Sequence, residues 1–519
     1  MKSKKDRQDI YEEKMLEEIG ISGDILVTYE ERKKKSSLPN RLNVSGDEQE
    51  ELEEMQRIAE RLTVINQQIL PSLLKKLSRI EDPRAPHKVK HKMTVLFLYG
   101  ILMFAFQVGS RREANREMDT IRFNNLKAIF PDLETMPHAD TLARLLERIT
   151  VSEIQECMID LIKDLLRRKK FKNYLRKRHI VIAIDGTQKF YRDYQWDDEN
   201  SGLVRHVGEE KKEQHYVYVL ESVIILDNGI VLPFLSEFLT NNDQNGDPEL
   251  FSMEANPTSE EEKKKQDCER KAFRRLAEKI KKIFRNTHIT LLLDGLYACG
   301  PIIQICLNYK WDFMINLKSG SMPTVWKDAL GIMSIDKENR HTVMWGDRTQ
   351  HYFWANDIEY EYRTDKALRH LKLNVVVCYE KWTENNSRST GKMKEQMTRY
   401  AWLSFKAINH KNIFKRCAKL ARYRWKIENN ILTEKHQGYY YEHCYSYTWN
   451  AMEGYHYLMK IGRLFNVLVA NSELLIDVVQ ERGIQGFVKY IWKITGRTSL
   501  NRERIKEATD KPHQWRLAT

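Results

Sequence analysis

Two apolar runs constrain this chain more than anything else in it: HIVIAIDG from His179 and HITLLLDG from His288. Both end in Asp-Gly, at Asp185 and Gly186 and again at Asp294 and Gly295. A short run apolar at nearly every position reads as a strand buried on both faces. Each aspartate then emerges at a strand end, where the glycine lets the backbone turn away. Two such strands can set Asp185 and Asp294 side by side. Adjacent carboxylates repel, which is tolerated chiefly when cations bridge them, and hard oxygen donors suit Mg²⁺ or Mn²⁺. Asp-Gly is also a common turn, and for either aspartate alone that reading weighs as much as the functional one.

The surrounding pattern gives the pair a context. YVYVLESVIIL from Tyr216 and GIVLPFLSEFL from Gly229 are β-branched and aromatic runs. With the run at His179 they predict three consecutive strands, antiparallel to one another. A charged helix, KKKQDCERKAFRRLAEKIKKIF from Lys263, leads into the strand at His288. A helix over Pro301 to Asn308 and a strand, WDFMINL, from Trp311 follow. The predicted order is three strands, helix, strand, helix, strand, a mixed α/β arrangement. Residues 318–399 break this rhythm with TVMWG, HYFWA, IEYEYR and LNVVVCYE, and read as a β-rich insertion. After the strand YAWLSF from Tyr400 comes one long helical run, KNIFKRCAKLARYRWKIENNILTEK, from Lys411.

That helix supplies a third acid. Glu428 lies four residues after Arg424 and seven before Lys435, so at about 100° per residue the three share a face. An acid between two cations can ligate a metal while its neighbours hold phosphates. A surface ion pair between Arg424 and Glu428 is by itself the commoner explanation. The conjunction is more specific than its parts: strand-end Asp, strand-end Asp, helix Glu. Glu237 in PFLSEF and Glu269 in DCE are further acids that could lie near the site or equally be ordinary salt-bridge partners, and are not counted as catalytic.

The rest of the chain bounds the setting. Its 519 residues exceed one ordinary core and suggest two to four structural units. Residues 1–65, with GDEQEELEE from Gly46 and RKKK from Arg32, read as a flexible or loosely helical charged segment. Residues 66–178 carry helical spacing, read as a helical domain that could grip DNA, with Asp140 expected to cap the helix TLARLLERI. The core is assigned to 179–317 and 400–470, and 471–519 to a helical tail that could make dimer or DNA contacts. A net charge of +13 favours a polyanionic partner. Seven scattered cysteines without a CxxC pair indicate neither a zinc site nor a disulfide framework, and so a reducing, cytoplasmic setting. The apolar stretch Met93 to Val108 is short for a membrane span and reads as a buried helix.

These residues together resemble the insertion-sequence DDE transposases, in particular the IS-four-like group with a Y-R-E-K signature on its catalytic helix. Arg424, Glu428 and Lys435 match the last three members and their spacing, while Ala421 stands at the tyrosine position and Tyr423 is out of register. IAIDGTQ from Ile182 and LLLDGLYA from Leu291 look like the two aspartate motifs, and the likeness runs from about Leu70 to Val469. The resemblance implies a ribonuclease-H-like mixed-sheet core with a β-rich insertion, a helical N-terminal domain before it and helices after it. It implies that Asp185, Asp294 and Glu428 bind two Mg²⁺ or Mn²⁺ ions and cut and rejoin DNA, one ion activating the attacking oxygen and the other stabilising the leaving one. Arg424 and Lys435 would contact DNA phosphates. Implied partners are double-stranded DNA, as terminal inverted repeats and target, and a second copy in a synaptic dimer at the bacterial nucleoid, with no membrane. Some relatives stack a flipped base on a tryptophan of the insertion, for which Trp326, Trp345 and Trp354 are candidates, although such aromatics are more often core. The competing readings are a domesticated or inactive DNA-binding derivative and a stand-alone ribonuclease-H-like nuclease.

Overall fold

The structure, a computed structural model, describes residues 27–29, 48–175, 179–198, 201–240, 268–363, 367–385, 393–497, 499–511 and 513–518. The first elements are β1 (Val27–Tyr29), α1 (Glu48–Leu77), α2 (Met93–Ala105), α3 (Arg111–Glu117), α4 (Thr120–Ile129), α5 (Ala139–Leu146) and α6 (Ser152–Arg167). Next come β2 (Ile180–Arg192), β3 (Leu203–Val207), β4 (Lys212–Ile225), β5 (Val231–Phe238), α7 (Glu269–Ile283), β6 (Ile289–Leu293), α8 (Gly300–Asn308) and β7 (Asp312–Asn316). Then follow α9 (Pro323–Ile335), β8 (Arg340–Trp345), β9 (Arg348–Arg363), β10 (Leu368–Asn385) and β11 (Met393–Ser404). The last are α10 (Trp425–His436), α11 (Trp449–Ala470), α12 (Ile476–Arg497) and α13 (Arg502–Asp510). The fold is mixed α/β. Its contacts divide the chain into two units, one of residues 1–35, 177–185 and 243–427, the other of 36–176, 186–242 and 428–519.

The first unit is built on a mixed sheet with strands in the order β1-β8-β9-β10-β11-β7-β6-β2. Parallel pairing joins β2 to β6 and β6 to β7, and antiparallel pairing joins β7 to β11 and β11 to β10. Every residue of β6 is buried, as its uninterrupted apolar run requires. Helix α7 buries Ala272, Phe273, Leu276, Ala277 and Ile280 and leaves its lysines and arginines outward, the 3.6-residue period of an amphipathic helix. The first five residues of the helix predicted from Lys263 lie outside the described residues. The stretch 318–399 holds helix α9 as well as strands, and β8 to β11 continue the sheet outward from β7.

The predicted helix from Lys411 is not one regular helix. Lys415–Leu420 is a widened, π-type turn, Ala421–Arg424 a tightened 3₁₀ turn, and only Trp425–His436 is α-helical. Arg424 therefore precedes the α-helix that carries Glu428, and the 100° spacing holds from Glu428 to Lys435 but not back to Arg424.

The second unit is centred on α11, which buries nearly its whole surface, including Leu458, Ile461, Leu464 and Leu468. Helix α2, the apolar stretch at Met93, is buried at every position but Thr94 and lies against α11. The approach is close because of glycine: a Cβ on Gly462 would stand 2.9 Å from the Ile101 carbonyl and 3.1 Å from the Ala105 nitrogen. Among the described residues no helix is long and apolar enough to cross a membrane. Strands β3 and β5 each pair antiparallel with β4. Asp140 is not the cap of α5. His138 takes that place, its Nδ1 accepting from the Asp140 amide at 3.3 Å, and Asp140 falls in the first turn, where a negative charge still suits the helix dipole.

The acidic run at Gly46 enters helix α1, which begins at Glu48 and continues past residue 65 to Leu77. Several of its acids are paired: Glu51 with Lys493 and Arg497, Glu53 with Arg504, and Glu54 with Arg482. All seven cysteines are unbridged thiols, and burial pushes Cys157, Cys306 and Cys417 up to about 12.

Candidate active site

Parallel pairing of β2 with β6 places Ile184 opposite Leu293. The next residue in each case is an aspartate: Asp294 follows the end of β6, whereas Asp185 lies inside β2, which does not end at Asp-Gly as expected but runs on to Arg192 past the last position paired with β6. Both side chains are about one-fifth exposed, enough to meet a ligand and too buried to be indifferent to charge.

Each carboxylate has a cation beside it. Arg424 Nη1 lies 3.7 Å from Asp185 Oδ2, and Lys318 Nζ donates to Asp294 Oδ2 at 2.7 Å. The Asn316 amide reaches Asp294 Oδ1 at 3.5 Å, the outer limit of a hydrogen bond. Burial pushes the Asp294 carboxyl up, but the Lys318 ammonium, the Gly295 amide and the Arg424 guanidinium outweigh it and hold the group below its ordinary value. Each carboxylate thus has positive charge at hand.

Buried ion pairs fix the segment that delivers Arg424. Arg416 grips Asp312, at the start of β7, through two bonds of 2.7 and 2.9 Å, and its Nε donates to Ser404 Oγ at 3.0 Å. Two residues before Arg424, Arg422 pairs with the fully buried Glu380, which also takes Arg348 and, at 2.6 Å, the Gln350 amide. Neither Asp312 nor Glu380 stands out in the sequence, because each sits inside a strand run with nothing local to mark its partner.

Beside Lys318 opens a cavity of about 290 Å³, lined by Asn316, Lys318, Ser319, Arg399, Arg422 and Trp425 among others. Trp425 is 41 % exposed and meets Tyr400 edge-on at 5.8 Å. Of the tryptophans considered for base stacking, Trp326 and Trp354 are buried to 1 % exposure, and Trp345 is half-buried with Arg422 over its ring at 5.4 Å. Sequence reasoning passed over Asn316, Lys318 and Trp425. Asn316 ends β7 and Lys318 lies two residues beyond it, a signal visible only once β7 is known to lie beside β6.

Residues 74–162 match a family model described as DDE_Tnp_1-associated. The match indicates a relation to DDE-type transposases. It spans the end of α1 through most of α6 and contains none of the candidate site residues. No curated protein matches the chain.

The other predicted site residues belong to the second unit. Glu428 begins the last segment of that unit and is half-buried on the first turn of α10. Lys435 is largely buried, donating to the Gln188 carbonyl at 2.9 Å and pairing with Glu442 at 3.0 Å. Behind it lies a buried network: Lys460 bridges Glu221 at 3.0 Å and Glu434 at 2.6 Å, and Tyr441 and Ser236 hydroxyls donate to Glu221. Glu237 is buried on β5, and Glu269, at the start of α7, accepts from the Tyr297 hydroxyl at 2.9 Å.

The structure therefore brings Asp185, Asp294 and Arg424 together and leaves Glu428 and Lys435 to the second unit. Among the described residues no group of three or more His, Cys, Asp and Glu side chains is arranged to hold a metal ion. Asp185 and Asp294 by themselves fit a divalent ion: two hard-oxygen donors that follow the last paired positions of β2 and β6, each with a cation beside it.

Proposed function

We propose that this chain is a DDE transposase of the IS-four-like, Y-R-E-K kind, cutting DNA at the ends of an insertion sequence and joining the freed strand to a target. The observation that carries the reading is the register of β2 and β6, in which Asp185 and Asp294 each follow the last paired position, Ile184 opposite Leu293. The family match over 74–162 supports it independently. So does the strand order of the first unit, β2 parallel to β6 and β6 to β7, which fits a ribonuclease-H-like core extended by β8 to β11.

On this reading Asp185 and Asp294, with Glu428 as the third acid, hold two Mg²⁺ or Mn²⁺ ions. The bound ions would activate the attacking oxygen and stabilise the leaving one. The chain's own residues orient and neutralise. Arg424 sits where it can lie against a phosphate beside Asp185, its charge favouring the build-up of negative charge on the transferring phosphate. Lys435 is the second phosphate contact, and releasing it means exchanging Glu442 for DNA. The partners are the terminal inverted repeats, a target duplex and a second copy of the chain.

The test is Asp185→Ala. We expect metal-dependent nicking of a duplex carrying the terminal repeats to fall below detection while repeat binding and folding persist. Nicking that survives the substitution removes the proposal. Cleavage without preference for repeat ends, and without strand transfer, replaces it with a stand-alone nuclease.

A further inference from the structure

Resting on that reading, the geometry points to Lys318 as a resident cation at Asp294, one that holds the place of the divalent ion in the metal-free protein and must leave when an ion enters.

Three contacts build the arrangement. The Lys318 carbonyl accepts from the indole Nε1 of the buried Trp326 at 2.8 Å and from the Ser321 amide at 2.9 Å, which fixes the backbone. The stem passes over Gly295, where a Cβ would stand 2.7 Å from Lys318 Cγ and 2.8 Å from Cδ. The ammonium then reaches Asp294 Oδ2 at 2.7 Å. Gly295 has no left-handed backbone that would call for glycine, so the reason for glycine here is the passage of this side chain.

The ammonium and a divalent ion need the same oxygen. A strand-end carboxylate with a lysine on it pairs electrostatically, and an ion of twice the charge competes for that place. Lys318 itself is 64 % exposed, so nothing packs the ammonium in, and its flexible stem can swing towards the cavity beside it. A merely structural lysine would be expected to strengthen the site it braces. A resident cation weakens it for metal.

The experiment uses the full chain and Mn²⁺ alone, without DNA. Free Mn²⁺ is followed by electron paramagnetic resonance in wild type, Lys318→Met, Lys318→Arg and Asp294→Ala. In parallel, acylation of the Lys318 amine is followed by mass spectrometry with and without Mn²⁺. Because the Lys318 side chain is largely exposed, the expected gain is modest: Lys318→Met binds Mn²⁺ about three- to fivefold more tightly, and Lys318→Arg stays near wild type. Mn²⁺ should also speed acylation of Lys318 in wild type and leave it unchanged in Asp294→Ala. If Mn²⁺ binds and Asp294→Ala abolishes binding, yet Lys318→Met has wild-type affinity and Lys318 labelling is flat, the resident-cation role is wrong and the carboxylates remain metal ligands. If wild type and Asp294→Ala are indistinguishable towards Mn²⁺, the metal reading itself falls and this inference with it.

Discussion

The stem of Lys318 lies across Gly295, so that a single methyl group on the residue after Asp294 would meet Lys318 Cγ at 2.7 Å. The two positions are 23 apart in sequence and belong to different strands' ends, yet each determines what the other can be.

Gly295→Ala should therefore act through Lys318. The alanine methyl forces the lysine stem off its path and takes the ammonium away from Asp294, with no backbone strain of its own. We expect Gly295→Ala to tighten Mn²⁺ binding about as much as Lys318→Met does, and to add little in the Lys318→Met background. A double-mutant cycle measures this directly, since residues acting through one contact are non-additive. Full additivity would mean that Gly295 serves the backbone and not the lysine.

The Glu380 cluster makes a second prediction. Buried ion pairs contribute little net stability, but removing one partner strands the other, at a cost of about 3–5 kcal/mol. Glu380 is fully buried against Arg348 and Arg422. Glu380→Ala should lower stability on that scale in denaturant titration. It should also release the turn Ala421–Arg424 and weaken Asp185-dependent activity more than Lys426→Ala, which lies in the same stretch but outside the pair. Glu380→Gln, which retains the shape and one acceptor, should fall between wild type and Glu380→Ala.

These contacts show where the sequence stops being informative. The strands from His179, His288 and Trp311 were legible because each is a continuous apolar run, but Asp-Gly closes only the one at Asp294; β2 runs through Asp185 and Gly186 to Arg192. Which strand lies beside which is not written in local periodicity, so the parallel pairing of β1 with β8 and the extension of the sheet by β8 to β11 had no signal. Helix α9 was hidden inside an aromatic, β-prone stretch. The run from Lys411 has a helical pattern throughout, and its π-type and 3₁₀ turns arise from long-range grips, Arg416 on Asp312 and Arg422 on Glu380. Lys318 could not be found for the same reason: a lone lysine after a strand is ordinary until the neighbouring strand brings Asp294 to it.

A third prediction concerns the close approach of α2 and α11. At Gly462 the nearest atoms are the Ile101 carbonyl oxygen at 2.9 Å, Phe104 Cβ at 3.0 Å and the Ala105 nitrogen at 3.1 Å, none of which can rotate aside. Gly462→Ala should cost about 1–3 kcal/mol from overpacking, despite the better helix propensity of alanine. Gly331, on α9 with nothing within 4 Å of its Cβ position, is the control, and Gly331→Ala should be neutral or slightly stabilising. Equal effects at the two sites in thermal unfolding would contradict the packing argument.

Burial of Lys189 in the second unit gives stability a pH dependence. Its ammonium donates to the Tyr441 carbonyl and is 4 % exposed, and burial pulls its pKa from the ordinary lysine value down to about 7, partly offset by Glu221 and Glu434. Below pH 7 the lysine is charged both folded and unfolded, and the penalty for burying that charge is fully felt. Between pH 7 and the unfolded value of 10.5 the unfolded chain holds a proton that the folded one has lost, so this group's contribution to stability rises with pH, with a limiting slope of about 1.4 kcal/mol per unit. The buried cysteines oppose it: their raised pKa values make the folded state hold protons that the unfolded chain releases above about pH 9. The clean measurement is the difference between wild type and Lys189→Met across pH 6.5–9. It should be flat below pH 7 and then move steadily in favour of wild type. A difference constant across that range would place the Lys189 titration elsewhere and refute its assignment as a group that is neutral when folded at alkaline pH.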